Sequence, residues 1–132
     1  MSEPIYLDTN VFLDLAMDRK GSGAACKILV RALKCDYTII ASNWLQKELD
    51  KHSSPQMTKM WFTSLQKKNK LTVVEATDND VEEAMKIDPD HFQDPLHAIL
   101  AKKGGAKILV TRDLQGYAKC RHLLRIVFTE GL

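Results

Sequence analysis

Four acidic residues, Asp8, Glu48, Asp94 and Asp113, are spaced along the chain in a way that predicts a shared site. Asp8 and Asp113 each follow a short apolar segment typical of a buried strand. Asp94 precedes a proline at a predicted helix start, and Glu48 lies in another predicted helix. In a parallel sheet, strand ends and helix starts meet at the edge where such sheets bind ligands. Because four carboxylates in one pocket repel one another, a hard divalent cation, Mg²⁺ or Mn²⁺, is the predicted occupant.

Each of these acids also has an ordinary structural explanation. Asp8 and Asp94 stand where helix-capping residues are common, and Asp113 is typical of a turn. Glu48 lies about 60° around its helix from the apolar position 45, so a surface pair with a neighbouring lysine or histidine is the alternative. These explanations remain open for each residue taken alone.

The elements that would position the acids alternate between short strands and helices. Apolar segments predict strands at residues 4–7, 38–41, 71–74, 107–110 and 124–128. Helices are predicted after Asp8, over 22–35, 43–52 and 56–68, from Thr77 to about 87, and from Asp94 to Gly104. This order is typical of a three-layer α/β/α fold with a central, mainly parallel sheet of four or five strands. No linker or repeat divides the chain, so we expect one domain over residues 1–132.

Composition sets the class of protein. The 132 residues are 45% hydrophobic and 27% charged, which excludes a disordered or fibrous chain. A net charge of +2 permits a nucleic-acid partner without requiring one. The sequence has no apolar segment of the roughly 18 residues needed to cross a bilayer, so no membrane partner is expected. Three cysteines without a CxxC motif favour a reducing cytoplasm.

Two further predictions concern burial. Cys26, Leu29, Val30 and Leu33 recur at helical spacing and predict the buried face of helix 22–35. The acidic stretch from Asp78 to Asp90 predicts a solvated helix and loop.

The residues around the four acids resemble a known family. Ile5-Tyr6-Leu7-Asp8-Thr9-Asn10-Val11, Glu48, the segment from Asp94 to Ala101, and Ile108-Leu109-Val110-Thr111-Arg112-Asp113 resemble the PIN domain. This is the small nuclease fold of VapC-type toxins and RNA-processing enzymes, and the resemblance covers nearly the whole chain. Its most specific part is the succession of Asp94, a helix, glycine, a strand and Thr111-Arg112-Asp113.

The resemblance implies metal-dependent hydrolysis of RNA phosphodiester bonds, with Mg²⁺ or Mn²⁺ as cofactor. Asp8, Glu48, Asp94 and Asp113 fall on the family's four acidic positions, and Asn10 and Thr111 on its two recurrent polar positions. Thr111 would fix a carboxylate or a bound water through its hydroxyl, and Asn10 would anchor the loop that carries Asp8. Glu48 is preferred over Asp50, which points to the polar face of the same helix.

Several neighbouring residues have two interpretations. A basic set would contact the RNA backbone or form a solvated face: Arg112, Lys119, Arg121, His122 and Arg125. Tyr117 would either stack on a base or pack in the core or in a dimer contact. His97, one turn after Asp94, approaches the site or is an internally satisfied histidine. A zinc site from His91, Asp94 and His97 is disfavoured because it lacks a thiolate and a His-x-x-x-His spacing.

The small single domain favours the toxin of a toxin–antitoxin pair, with a cognate antitoxin as partner. Aromatic residues around 44–62 favour a homodimer. The alternative is a PIN-like RNA-binding or assembly subunit with little catalytic activity of its own. A phosphoacceptor signalling domain would have an acidic pair after the first strand, and a haloacid-dehalogenase-like phosphatase would have Asp in place of Asn10. Both fit less well.

Overall fold

The computed structural model describes residues 2–16, 22–34, 36–52 and 55–132. Five strands form one sheet: β1 (Glu3–Leu7), β2 (Tyr37–Ser42), β3 (Leu71–Val74), β4 (Ile108–Thr111) and β5 (Arg125–Phe128). The α-helices are α1 (Thr9–Ala16), α2 (Ser22–Leu33), α3 (Asn43–His52), α4 (Pro55–Lys67), α5 (Asp78–Ile87) and α6 (Gln93–Lys103). Short 3-10 helices span Gln115–Cys120 and Thr129–Gly131.

The sheet is parallel throughout, in the strand order β3-β2-β1-β4-β5. β1 lies at its centre, where Ile5 is in register with Ile39 on one side and Ile108 on the other. Ile5, Tyr6 and Leu7 are completely buried, as expected for a strand covered on both faces. The predicted α/β fold with a mainly parallel sheet is therefore confirmed, with five strands.

The helices divide into two groups. α1 to α4 contact one another, and α5 packs against α6. Because crossovers between parallel strands are right-handed as a rule, the strand order places the two groups on opposite faces of the sheet, which gives three layers. The chain builds β2 and β3 on one side of β1 and then returns to place β4 and β5 on the other. The carboxyl ends of β1 and β4 therefore flank the switch point at which open α/β sheets bind ligands.

α6 brings one of the acids to this edge. Its residues from Pro95 to Ala101 are all buried, as their apolar character predicted. Gly104 ends the helix close to the sheet. The approach is so close that a Cβ there would lie 2.5 Å from Cγ2 of Ile40 and 2.6 Å from Cγ2 of Val74. No helix in the described ranges has both the length and the apolar character needed to cross a bilayer.

The predicted buried face of α2 is wrong at Cys26 and Val30, whereas Leu33 packs against the core as predicted. Cys26 is exposed and Val30 is 41% exposed, whereas Ala25, Ile28 and Ala32 are buried. Leu29 is buried as predicted. The contact face is set by the elements against which α2 packs, α1, β2 and α4. The predicted end of this helix at residue 35 lies outside the described residues.

The acidic stretch also differs from expectation at one position. Asp80 is buried, and it forms a capping box with Thr77 at the start of α5. Its Oδ2 accepts a hydrogen bond from Nζ of Lys103 at 2.9 Å. Burial raises the pKa of Asp80, but these hydrogen bonds outweigh burial and lower it.

Candidate active site

Asp8 follows the last residue of β1 and is only 3% exposed. The backbone amide of Thr9 donates to its Oδ1 at 2.6 Å, and the Thr111 hydroxyl donates to its Oδ2 at 3.0 Å. Burial raises the pKa of Asp8, although nearby His97 and these hydrogen bonds oppose the rise. The carboxylate is thus held in a fixed orientation at the switch point.

Thr111 connects Asp8 to Asp113. Its Oγ1 accepts a hydrogen bond from the Asp113 amide at 2.9 Å while donating to Asp8. Oδ1 of Asp113 accepts a bond from the Gly116 amide at 3.1 Å. The predicted contact between Thr111 and a carboxylate is present, and the same hydroxyl joins the Asp8 carboxylate to the backbone of Asp113.

Asp94 is the second residue of α6 and faces the other three acids. Burial and the charges of Asp8, Asp113 and Glu48 raise its pKa to about 6, with His97 opposing. A Cβ on Gly116 would lie 2.2 Å from Oδ2 of Asp94 and 2.9 Å from Oδ2 of Asp113. Only glycine leaves room for these two carboxylates to approach each other.

Glu48 reaches the cluster from α3. Its Oε1 lies 2.5 Å from Nε2 of His97 and 3.3 Å from the Thr9 hydroxyl, which donates to it. Burial raises the pKa of Glu48, but the hydrogen bond and charge of His97 outweigh burial and lower it. The structure therefore gives Glu48 a hydrogen-bond partner on α6, His97. The neighbouring His52, considered as the alternative partner, adds only a weaker charge interaction that also lowers the pKa of Glu48.

His97 is the residue whose part the sequence left undecided. It is 1% exposed, and its Nε2 is 4.0 Å from Oδ1 of Asp8. Burial lowers its pKa, but the Glu48 hydrogen bond and the surrounding acids outweigh burial and raise it. Both sequence interpretations hold in part, because the ring is satisfied internally and yet contacts the acid cluster. Its spacing from Asp94, three residues along a helix, was the available signal.

Two clefts meet at Asp94. One is lined by Asp8, Thr9, Asn10, Leu13, Glu48, His52, Asp94 and His97. The other is lined by Asp88, His91, Gln93, Asp94, Asp113, Gln115, Gly116, Ala118 and Lys119. Asn10 is exposed at the first cleft, and the described hydrogen bonds to the Asp8 side chain come from Thr9 and Thr111. The anchoring role of Asn10 stays a prediction.

The basic residues near the site are partly committed elsewhere. Nε of Arg112 is 3.2 Å from Oδ2 of Asp14, and its Nη1 is 3.0 Å from Oε1 of Glu130. Lys119 lines the second cleft, with its Nζ 3.5 Å from Oδ2 of Asp88. Arg112 therefore braces the fold, whereas exposed Lys119 faces the cleft.

Tyr117 packs under the cluster and is completely buried. Burial, together with the charges of Asp8 and Asp94, raises the pKa of its hydroxyl. The core interpretation of Tyr117 is therefore the correct one, since a buried ring offers no face for a base.

The donor set fits a hard divalent cation that retains water. Its oxygens belong to carboxylates, and their mutual repulsion is the feature that a cation relieves. In the part of the chain that the structure describes, no three His, Cys, Asp or Glu side chains are placed to hold one ion directly. Mg²⁺ commonly takes only one or two protein carboxylates and completes its shell with water and substrate oxygens.

Comparison with known proteins agrees with this geometry. A family model described as PIN domain matches residues 4–115. The chain belongs to the PIN domain family. Its members are nucleases, so hydrolysis of a nucleic-acid backbone is the chemistry of the family.

A solved structure shows the same fold. The VapBC2 structure from Rickettsia felis, bound to a DNA fragment from their promoter, contains a chain that superposes with a TM-score of 0.61. The match covers 95% of this PIN domain protein and 98% of that chain at 15% sequence identity. No curated protein sequence matches the chain.

Proposed function

We propose that this PIN domain is a metal-dependent endoribonuclease that cleaves RNA phosphodiester bonds. The observation that carries the proposal is the convergence of Asp8, Glu48, Asp94 and Asp113, in which burial and the charges of the other three acids raise the pKa of Asp94 to about 6. These four residues, the first and last of which are 105 positions apart in the chain, meet at the switch point of the sheet. Structural capping alone gives no reason for such a costly arrangement.

Each acid has a part in this proposal. Asp8, Glu48, Asp94 and Asp113 would hold Mg²⁺ or Mn²⁺, one or two of them directly and the others through bound water. Thr111 orients the Asp8 carboxylate by its hydrogen bond. When bound at these acids, the ion would supply Lewis-acid polarisation of the phosphate and an activated water. Asn10, at the rim of the first cleft, contacts the substrate or steadies the Asp8 loop. Lys119 meets a phosphate in the second cleft.

The partners follow from the same site and from the fold. The likeness to a VapBC2 chain supports a toxin–antitoxin role with a cognate antitoxin protein. The partly exposed Trp44 and Trp61 support a homodimer through α3 and α4. The unbridged Cys26 and Cys120 fit a reducing cytoplasm.

RNA cleavage with Mg²⁺ or Mn²⁺ tests the activity. End-labelled RNA is incubated with the wild-type protein, with Asp8→Asn and with Asp94→Asn, and circular dichroism checks the folding of each. We expect cleavage by the wild type, loss on chelation, and at least a hundredfold slower cleavage by both variants. Equal cleavage by folded variants would remove these acids from the mechanism.

The same assay separates the enzyme from the alternative subunit. RNA binding without metal-dependent cleavage would favour a PIN-like binding or assembly protein. A small gene directly upstream, whose product co-purifies with this chain and stops its cleavage, would establish the antitoxin partner. Light scattering of the purified chain tests the homodimer.

A further inference from the structure

His97 is held on both sides of its ring. Nε2 lies 2.5 Å from Oε1 of Glu48, and Nδ1 lies 2.7 Å from the Tyr6 hydroxyl. Because an ionised carboxylate only accepts hydrogen bonds, Nε2 carries a hydrogen and donates it to Glu48. Two opposed contacts leave the buried ring one orientation.

The contact with Tyr6 leads back to the helix that carries Glu48. The Tyr6 hydroxyl is 2.8 Å from Oγ of Ser42, the last residue of β2. Oγ of Ser42 accepts a hydrogen bond from the Leu45 amide at 3.0 Å, in the first turn of α3. The ring orientation is therefore tied to the backbone from which Glu48 projects.

The ring also stands between two of the acids. Its Nε2 lies 4.0 Å from Oδ1 of Asp8 while it bonds to Glu48. The Thr9 hydroxyl donates to the same Glu48 oxygen at 3.3 Å. Glu48 thus meets two donors that fix its carboxylate beside Asp8.

We propose that His97 is a positioning residue, which holds the Glu48 carboxylate in place before metal and substrate bind. The inference rests on the proposed nuclease function and assigns a role outside the four acids. A free glutamate side chain has several rotamers, and ordering it during binding weakens binding. A carboxylate held by a buried, doubly bonded ring avoids that loss.

Two neutral variants separate the two contacts of the ring. His97→Gln places an amide nitrogen near Nε2 and keeps a donor for Glu48. His97→Asn places its amide near Nδ1 and keeps the Tyr6 contact alone. Both side chains are buried amides of equal charge, so a difference between them reports on the position of the donor.

The experiment measures Mn²⁺ affinity by electron paramagnetic resonance, and kcat and KM for RNA cleavage. We expect His97→Asn to bind Mn²⁺ about 10–100-fold more weakly than His97→Gln, with a similar drop in kcat and an unchanged KM. In a Glu48→Gln background the two variants should bind Mn²⁺ equally, because the carboxylate being positioned is gone. A merely structural role of His97 would lower thermal stability without this dependence on Glu48.

Equal Mn²⁺ affinities of the two variants beside an intact Glu48 would overturn the inference, even if the wild type cleaved RNA. A difference that persisted unchanged in the Glu48→Gln background would overturn it too. A wild type that bound Mn²⁺ but cleaved no RNA would instead overturn the proposed function and leave the variant comparison valid. The two failures are therefore distinct.

Discussion

Burial makes Asp94 costly to ionise, and the charges of three other acids add to that cost. Its pKa in the folded protein is about 6, whereas an aspartate in the unfolded chain ionises near pH 4. The folded state therefore binds the proton more tightly. Stability of the metal-free protein falls as pH rises from about 4 through 6, and the loss is complete above that range.

Asp94→Asn should accordingly stabilise the metal-free protein at pH 8. The amide removes the repelled charge, and after allowance for solvent screening we expect a gain on the order of 1 kcal/mol. Thermal unfolding in EDTA at pH 4, 6 and 8 measures the gain, which should vanish near pH 4. Exposed Asp90→Asn is the control. A variant no more stable than wild type at pH 8 would show that the charge of Asp94 does not destabilise the folded protein.

Gly116→Ala tests the close approach of two carboxylates. The new Cβ would lie 2.2 Å from Oδ2 of Asp94, so that side chain must rotate away. We expect more than tenfold weaker Mn²⁺ binding and RNA cleavage, with little change in unfolding temperature, because an aspartate at a cleft moves at low cost. Gly23→Ala is the matched control, since nothing lies within 4 Å of its added Cβ. Unchanged Mn²⁺ affinity in Gly116→Ala would count against the site.

Three aspartates lie after strands or at a helix start, as the sequence predicted, because strand ends and helix starts are local features. Asp8, Asp94 and Asp113 each follow from a neighbouring apolar segment or proline. The pairing of Glu48 with His97 was not predictable, since it depends on how α3 and α6 pack across 49 residues of chain. The Tyr6 contact of the same ring joins residues 91 positions apart. Such partners follow from tertiary packing and not from spacing.

At the level of elements, the position of Asp94 depends on the contacts between α5 and α6. Nζ of Lys103 donates to Oδ2 of Asp80 at 2.9 Å and to the carbonyl oxygen of Glu75 at 3.0 Å. These contacts tie the last turn of α6 to the start of α5. Asp94 lies in the first turn of the same helix. The contacts of Lys103 in the last turn therefore help to fix the helix that carries Asp94.

Lys103→Ala should lower the free energy of unfolding by about 1 kcal/mol at pH 7. The hydrogen bonds lower the folded pKa of Asp80, so their contribution is present above about pH 4 and is lost as pH falls through that lower pKa. Urea unfolding at pH 7 and pH 3 measures both values. Exposed Lys102→Ala, one residue away, should change neither. Equal destabilisation at the two pH values would contradict the ionic origin.

Element boundaries followed the sequence more closely than element faces did. Thr77 and Asp80 form the capping box at the start of α5, and the uniformly apolar segment from Pro95 predicts a buried helix. Both signals are local in the sequence. On α2 the apolar side chains extend beyond the contact face, so periodicity chose Cys26 and Val30. Which face packs depends on the neighbouring helices, and the sequence of one helix does not contain that information.

For the whole molecule, the parallel sheet and the acid cluster have opposite effects on stability. The strand order of the sheet places β1 and β4 side by side and so brings together the acids that follow these strands. The buried strands supply stability, whereas the cluster opposes folding through the raised pKa values of Asp8 and Asp94. A cation that binds only the folded state would reverse the second effect.

Divalent metal should therefore raise the stability of the whole domain. At a Mn²⁺ concentration 100 times its dissociation constant, the expected gain is about 2.7 kcal/mol, which chelation by EDTA removes. The gain should be smaller at pH 5 than at pH 8, because metal must displace the proton of Asp94. Thermal unfolding with and without Mn²⁺ at both pH values measures it.

Asp8→Asn is the companion variant for this measurement. It removes one buried charge, its oxygen can still accept the hydrogen bond of the Thr9 amide, and its NH2 group can donate to the Thr111 hydroxyl, so the metal-free fold should persist. We expect most of the Mn²⁺-dependent gain to disappear, because the cation loses the acid at the centre of the switch point. A full gain in Asp8→Asn would mean that Mn²⁺ stabilises the protein elsewhere. An absent gain in the wild type at pH 8 would mean that the four acids hold no cation.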